Sequence, residues 1–194
     1  MPTLSSDPLD ILLAFDAWAT RTLLEPCRGL SREQFHQRFE IGLGSLHDNF
    51  THIVGVMRRW TDRLAARPLR PALAAIPGRA DIPHDARDRT PDDLLALLDD
   101  AAKDLASVAR DIRANNRLGT TIEVQWPGEG GKLKTYTFSR GCILVHICTH
   151  GTHHRAQCLN MLRHLNVSGV SDKLPDPSTV DWQAETESPP VLAA

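Results

Sequence analysis

The sequence predicts an all-α protein of four long helices, with a small β-hairpin inserted before the last. Three observations carry that expectation. Four stretches repeat apolar residues at the helical period, proline and capping residues punctuate their ends, and residues 120–138 switch to period two. At 194 residues the chain is expected to be a single domain over 1–194, with its core in about 6–168.

Helix one is expected from Ser6 or Asp7, an N-cap before Pro8, to near Pro26, with Leu9, Leu12, Leu13, Ala19, Leu23 and Leu24 at helical intervals. Trp18 is expected to pack toward the centre as a core aromatic. Ser31, with Glu33 and Gln34 after it, signals a short helical turn. Helix two should run from about Gly44 to Arg67, where Pro68 stops it, with Leu46, Phe50, Ile53, Met57, Trp60 and Leu64 as its apolar stripe. Residues 68–89 hold four prolines and a glycine and read as a long irregular connection across the surface or over a pocket mouth. Thr90 and Pro91 then open helix three, which Leu94, Leu98, Ala102, Leu105, Val108 and Ile112 carry to Asn115.

From Thr120, the alternation of Ile122, Val124 and Trp126 with polar residues predicts a strand; after PGEGG, Lys132 to Phe138 predicts its partner. Helix four should begin near Ser139 and reach about Leu165, with Asn166 as its stop. Apolar residues on several of its faces, Val145 among them, suggest a largely enclosed helix. Beyond Gly169 the chain is rich in proline and serine, and residues 183–194 are expected to be mobile.

Composition narrows the function. A net charge of −2 and a pI near 6.5, with dispersed arginines, leave no electrostatic footprint for nucleic acid. The first residues carry no basic segment before their apolar run, and no apolar stretch approaches the roughly 20 residues needed to span a bilayer. A soluble, cytoplasmic protein without a membrane partner is expected. Cys27, Cys142, Cys148 and Cys158 form no CxxC pair and read as reduced thiols.

The chemistry is concentrated in VHICTHGTHHRAQCLNML, residues 145–162, which hold four of the nine histidines. At about 100° per residue, His146, His150 and His154 fan across one stripe of a helix, with His153 to one side and Gln157 close to it. An i, i+4 pair of imidazoles can converge on one ion. Buried imidazoles without partners are costly, and metal ligation by His150 and His154 removes that difficulty; a hydrogen-bonded histidine seam is the alternative. A third ligand must come from elsewhere. His47 and His52 lie on opposite sides of the apolar stripe of helix two, and periodicity does not choose between them. No glutamate follows the first histidine as in HExxH, so zinc-protease chemistry is not indicated.

These residues resemble the DinB-like (YfiT-like) superfamily of four-helix metalloenzymes, of the DNA-damage-inducible type. FDAWATRTLL is similar to an aromatic-Asn-Trp-Ala segment of that family. LHDNFTHIVGVMRRWTDRL is similar to its HI(x)6W pattern, through His52 and Trp60. HGTHHRAQ, His150 to Gln157, is similar to HxxHHRGQ, with Ala156 where the family usually has glycine. The resemblance implies an up-down-down-up bundle, a homodimer, and His52, His150 and His154 as metal ligands. His146, His153, Gln157 and Trp60 then become candidates to orient ligands, contact substrate or, for His146, close the site as a fourth ligand.

Three imidazoles with open positions make a catalytic type of site. Zinc or nickel suits the all-nitrogen set best, and iron or manganese can also be held. The superfamily includes hydrolases and low-molecular-weight thiol transferases and isomerases. The expected function is therefore transfer of a low-molecular-weight thiol to an electrophilic small-molecule substrate, or hydrolysis by a metal-activated water. The alternative is a non-catalytic, stress-related metal- or ligand-binding bundle, because no carboxylate base stands near the histidines.

Overall fold

A computed structural model describes residues 6–76, 79–85, 87–127, 132–166 and 178–186. Its main body is formed by α1 (Pro8–Leu24), α3 (Leu46–Leu64), α4 (Pro91–Ala114) and α5 (Arg140–His164). A 3₁₀ turn (Glu25–Gly29) and the one-turn α2 (Arg32–Phe35) join α1 to α3. The strands β1 (Thr121–Pro127) and β2 (Leu133–Ser139) pair antiparallel, with Val124 opposite Tyr136. A short α6 (Thr179–Thr186) lies against α1.

Side-chain caps fix where these helices begin. The Asp7 carboxylate accepts from Leu9 and Asp10, Ser45 from Asp48, Thr90 from Asp93 and Ser139 from Cys142. Each such cap contributes about 1 kcal/mol. α3 starts at Leu46 because Ser45 caps it. It ends at Leu64, short of Pro68, because Ala66 turns to φ +53° and the Arg67 amide bonds back to the Asp62 carbonyl. Asn166, at φ +47°, stops α5 as expected.

Two buried clusters define the helix directions. One joins Leu13 of α1, Met57 and Leu64 of α3, Leu105 and Ile112 of α4, and Ile143, Leu144, Ile147 and Cys148 of α5. The other joins Leu23 and Leu24, Leu46 and Phe50, Leu94 and Leu95, and Cys158 to Leu162. α1 and α5 therefore run one way while α3 and α4 run the other, giving an up-down-down-up bundle in which α1 and α3 each pack against both α4 and α5. Each large apolar side chain fully buried here contributes about 1.5–3 kcal/mol. Ile122 and Phe138 of the hairpin pack on the first cluster, and Arg140 Nη1 donates to the last carbonyl of α3, Leu64, at 3.1 Å.

Two expectations are corrected, for Trp18 and for Val145. Trp18 does not enter the bundle centre; it sits on the outer side of α1 with Phe15, beside Trp182 of α6. The α-helix at 179–186 is seated through Trp182, 5% exposed, on Phe15 and Ala19; residues 167–177 and 187–194, the latter most of the stretch expected to be mobile, lie outside the described residues. Val145 is 51% exposed, because α5 is flanked by α1 and α3 and presents its remaining face to solvent. Cys27, Cys148 and Cys158 are buried free thiols, and Cys142 is exposed.

No helix among the described residues is long and apolar enough to cross a membrane.

Candidate metal centre

α3 and α5 pack antiparallel, and their seam brings His52 opposite the i, i+4 pair His150 and His154. The ring centroids lie 4.9 Å (His52 to His150), 4.8 Å (His52 to His154) and 4.5 Å (His150 to His154) apart. One ring nitrogen from each falls within 4.8 Å of the others. His52 Nε2 and His150 Nε2 are 3.0 Å apart. Nitrogens about 2.0–2.1 Å from a tetrahedral ion stand about 3.3 Å from one another, so small ring movements would bring this donor set onto a divalent metal.

Electrostatics favours the required neutral rings. Burial, with a smaller contribution from His154, pushes His52 down to about 4. Burial, then the neighbouring histidines, pushes His150 down to about 3. His154 is also lowered by burial, against the opposing effect of its Gln157 hydrogen bond. All three lone pairs are thus available at neutral pH.

The His154 tautomer is set by its partners. Nδ1 lies 3.1 Å from Asn49 Oδ1 and 2.8 Å from Gln157 Oε1, both acceptors, so Nδ1 carries the proton and Nε2 presents its lone pair. Asn49 is oriented in turn, because its Nδ2 donates to the Ser45 carbonyl at 2.8 Å. Gln157 Nε2 donates to His153 Nε2 at 2.9 Å. Gly42 permits this closeness: at φ +51°, a Cβ there would stand 2.2 Å from Gln157 Oε1.

The intervening residues of HGTHHRAQ anchor α5. Arg155 pairs with Asp16 of α1, both almost fully buried, and its Nη1 also donates to Thr20 Oγ1 at 3.0 Å. Burial raises the Asp16 carboxyl while Arg155 opposes the rise. Gly151 leaves room for the pair, since a Cβ would sit 2.6 Å from Asp16 Oδ1.

Two adjoining cavities share His52, Val56, Trp60 and Trp126 as wall. One, of about 490 Å³, is apolar and runs past Val124, Phe138, Ile143 and Cys142 to His146 and His150. The other, of about 570 Å³, lies under residues 72–76 and 79–82 and is lined by Arg59, Arg63 and Arg79. Arg79 pairs with Asp81. Arg59 and Arg63 have no carboxylate within ion-pair distance among the described residues; Arg63 stacks on Trp60 at 5.1 Å, and burial with the nearby Arg59 and Arg79 lowers it to about 10.

His146, Trp60 and Gln157 therefore lie at or beside the three-histidine group. His146 is outside the group itself, its ring 5.4 Å from His150 and 5.7 Å from Trp60. His153 is exposed and bonds Gln157 on its own helix instead of reaching a neighbouring one. His47 turns away toward His36 and Asp88. The sequence reading missed Asn49, Gly42, Asp16 and the two arginines that donate to carbonyls without a carboxylate partner, Arg59 and Arg63. Asn49 had a signal, a polar residue one turn before His52 on a helix with a strong apolar stripe; the others depend on contacts between distant segments.

A family model, described as the DinB family, matches residues 5–180. The chain belongs to the DinB family. The bundle and the hairpin before the last long helix agree with that membership. Among curated proteins, no sequence matches this DinB chain.

Proposed function

We propose that this DinB-family protein is a metal-dependent enzyme that transfers a low-molecular-weight thiol to an apolar electrophile. The observation that carries the reading is the position of His52, a member of the three-histidine group, in the shared wall of an apolar cavity and a guanidinium-lined one, with His150 lining the apolar cavity. His52, His150 and His154 would hold a divalent ion, with zinc or nickel best suited to three imidazoles. Such an ion supplies Lewis acidity, lowering the pKa of a thiol or a water brought against it.

The chain's own residues account for the rest. Asn49 and Gln157 keep the proton of His154 on Nδ1. Val56, Trp60 and Phe138 accept an apolar substrate and exclude water from it. Arg59 and Arg63 suit the carboxylates of an anionic thiol. The apolar lining has no carboxylate among the described residues, which leaves His146 to accept a proton. That lining favours thiol transfer over hydrolysis, because a water nucleophile depends more on a general base than a thiol whose pKa is already lowered.

The test is conjugation of monobromobimane with bacillithiol, mycothiol or glutathione by metal-loaded protein, beside ester and amide hydrolysis. Metal-dependent conjugation is expected. Hydrolysis alone would replace the thiol by water in the same site, and neither activity would leave a non-catalytic metal- or ligand-binding bundle. A homodimer of cytoplasmic chains, with a small-molecule partner and no nucleic acid, belongs to the same proposal.

A further inference from the structure

A second cluster of ligating side chains lies away from the cavities. His36 caps the C-terminus of α2, His47 stands in the first turn of α3, and Asp88 lies just before α4. One ligand atom from each falls within 4.8 Å of the others. Asp88 Oδ1 is 2.9 Å from His36 Nε2 and 3.7 Å from His47 Nε2. The two rings stack with centroids 4.3 Å apart, and Phe35 packs edge-on against both.

The protonation pattern is informative. His47 Nδ1 lies 3.0 Å from Asp48 Oδ1, and a carboxylate only accepts, so Nδ1 carries a proton. In the neutral ring, Nε2 is therefore a lone pair, and it is buried without a hydrogen-bond partner while facing a second carboxylate. A buried lone pair on His47 facing the carboxylate of Asp88, which is open to solvent, is a place for a cation between two acceptors. Carboxylate, imidazole and open nitrogen in line are the arrangement that orients histidine ligands in metal sites. Asp88 is oriented as well, because Arg32 Nε holds its other oxygen, Oδ2, at 2.8 Å.

We propose that His36, His47 and Asp88 form a second divalent transition-metal site, separate from the three-histidine group. His36 would ligate through Nε2 after its proton moves to Nδ1, and Asp88 through Oδ1. Two imidazoles and one carboxylate suit zinc, cobalt or nickel. His47 and His52 are five residues apart on α3, about 7.5 Å along its axis and about 140° around it, so the two sites face different neighbours. The metal joins the end of α2, the start of α3 and the segment entering α4. That last segment follows residues 72–76 and 79–82, which roof the arginine-lined cavity, and the ion braces it from its far end.

The test is Co²⁺ titration of the untagged, chelator-treated full chain, followed by visible absorption. Two ions per chain are expected for wild type, and one for the His52→Ala/His150→Ala variant. Adding Asp88→Ala to that variant should remove the remaining ion, and His36→Gln provides a second, surface-located check. If the His52→Ala/His150→Ala variant, folded by circular dichroism, binds no Co²⁺ at tens of micromolar, or if Asp88→Ala and His36→Gln added to it both leave the count unchanged, the second site is wrong and His47 is held by protons alone. Failure of the three-histidine site looks different: Asp88→Ala would still remove an ion, while His150→Ala would remove none.

Discussion

Asn49 of α3 accepts the Nδ1 proton of His154 of α5 at 3.1 Å, across the seam of the bundle. Its amide cannot turn over without losing the 2.8 Å bond from Nδ2 to the Ser45 carbonyl. A residue that touches no substrate thus decides which nitrogen of His154 faces the other two histidines.

Replacing Asn49 by Ala is therefore expected to weaken metal binding by about 10–100-fold, the usual cost of losing a partner that orients a ligand. Competition with a chromogenic chelator measures this, and Asn49→Asp, which keeps the acceptor, should lose much less. Equal affinity in all three proteins would show that Asn49 is structural only.

Gly151 gives a prediction of unusual sign. Glycine to alanine inside a helix ordinarily stabilises by up to about 1 kcal/mol. Here the new methyl would meet Asp16 Oδ1 at 2.6 Å and Arg155 Nη1 at 2.8 Å. Splitting a buried ion pair costs about 3–5 kcal/mol. Gly151→Ala should accordingly lower the denaturant midpoint, as should Arg155→Met.

The metal-free protein should become less stable in acid. His52 and His150 titrate near 4 and 3 when folded, against about 6.5 when unfolded, so the unfolded chain takes up protons first. Their contribution is intact above about pH 6.5 and declines as pH falls, to about 4 for His52 and about 3 for His150. Urea unfolding at pH 7 and pH 5 should show a drop that shrinks in the His52→Ala/His150→Ala variant; an unchanged drop would place the acid sensitivity elsewhere.

Arg63 separates binding from chemistry. If it receives the anionic end of the thiol, Arg63→Met should raise KM for that thiol about tenfold while kcat and metal content stay near wild type. A matching fall in kcat would instead assign Arg63 to the reacting centre.

The sequence made three helix starts legible because they are written in local chemistry: Asp7, Thr90 and Ser139 cap where polar residues precede apolar periods, whereas α3 was expected from about Gly44 and is capped by Ser45. The pairing of His150 with His154 was equally local. The choice of His52 over His47 was not, since both flank the same stripe; it came from resemblance, and the structure brings His52 to His150 and His154 while His47 meets His36 and Asp88. The displaced Trp18 has the same origin. Periodicity identifies an apolar position on α1, but not that a short helix some 160 residues later will cover it, making that outer face a third, small core. Gly42 was silent because its constraint is a side chain 115 positions away, Gln157.

The central claim is that His52, His150 and His154 together hold one metal ion. Elemental analysis of untagged wild-type protein beside His52→Ala and His150→Ala tests it most directly, because a histidine tag would itself capture metal. The account predicts that each variant loses one first-row metal ion per chain relative to wild type while remaining folded. Metal contents equal to wild type in both variants, or no metal in wild type even after reconstitution, would contradict it.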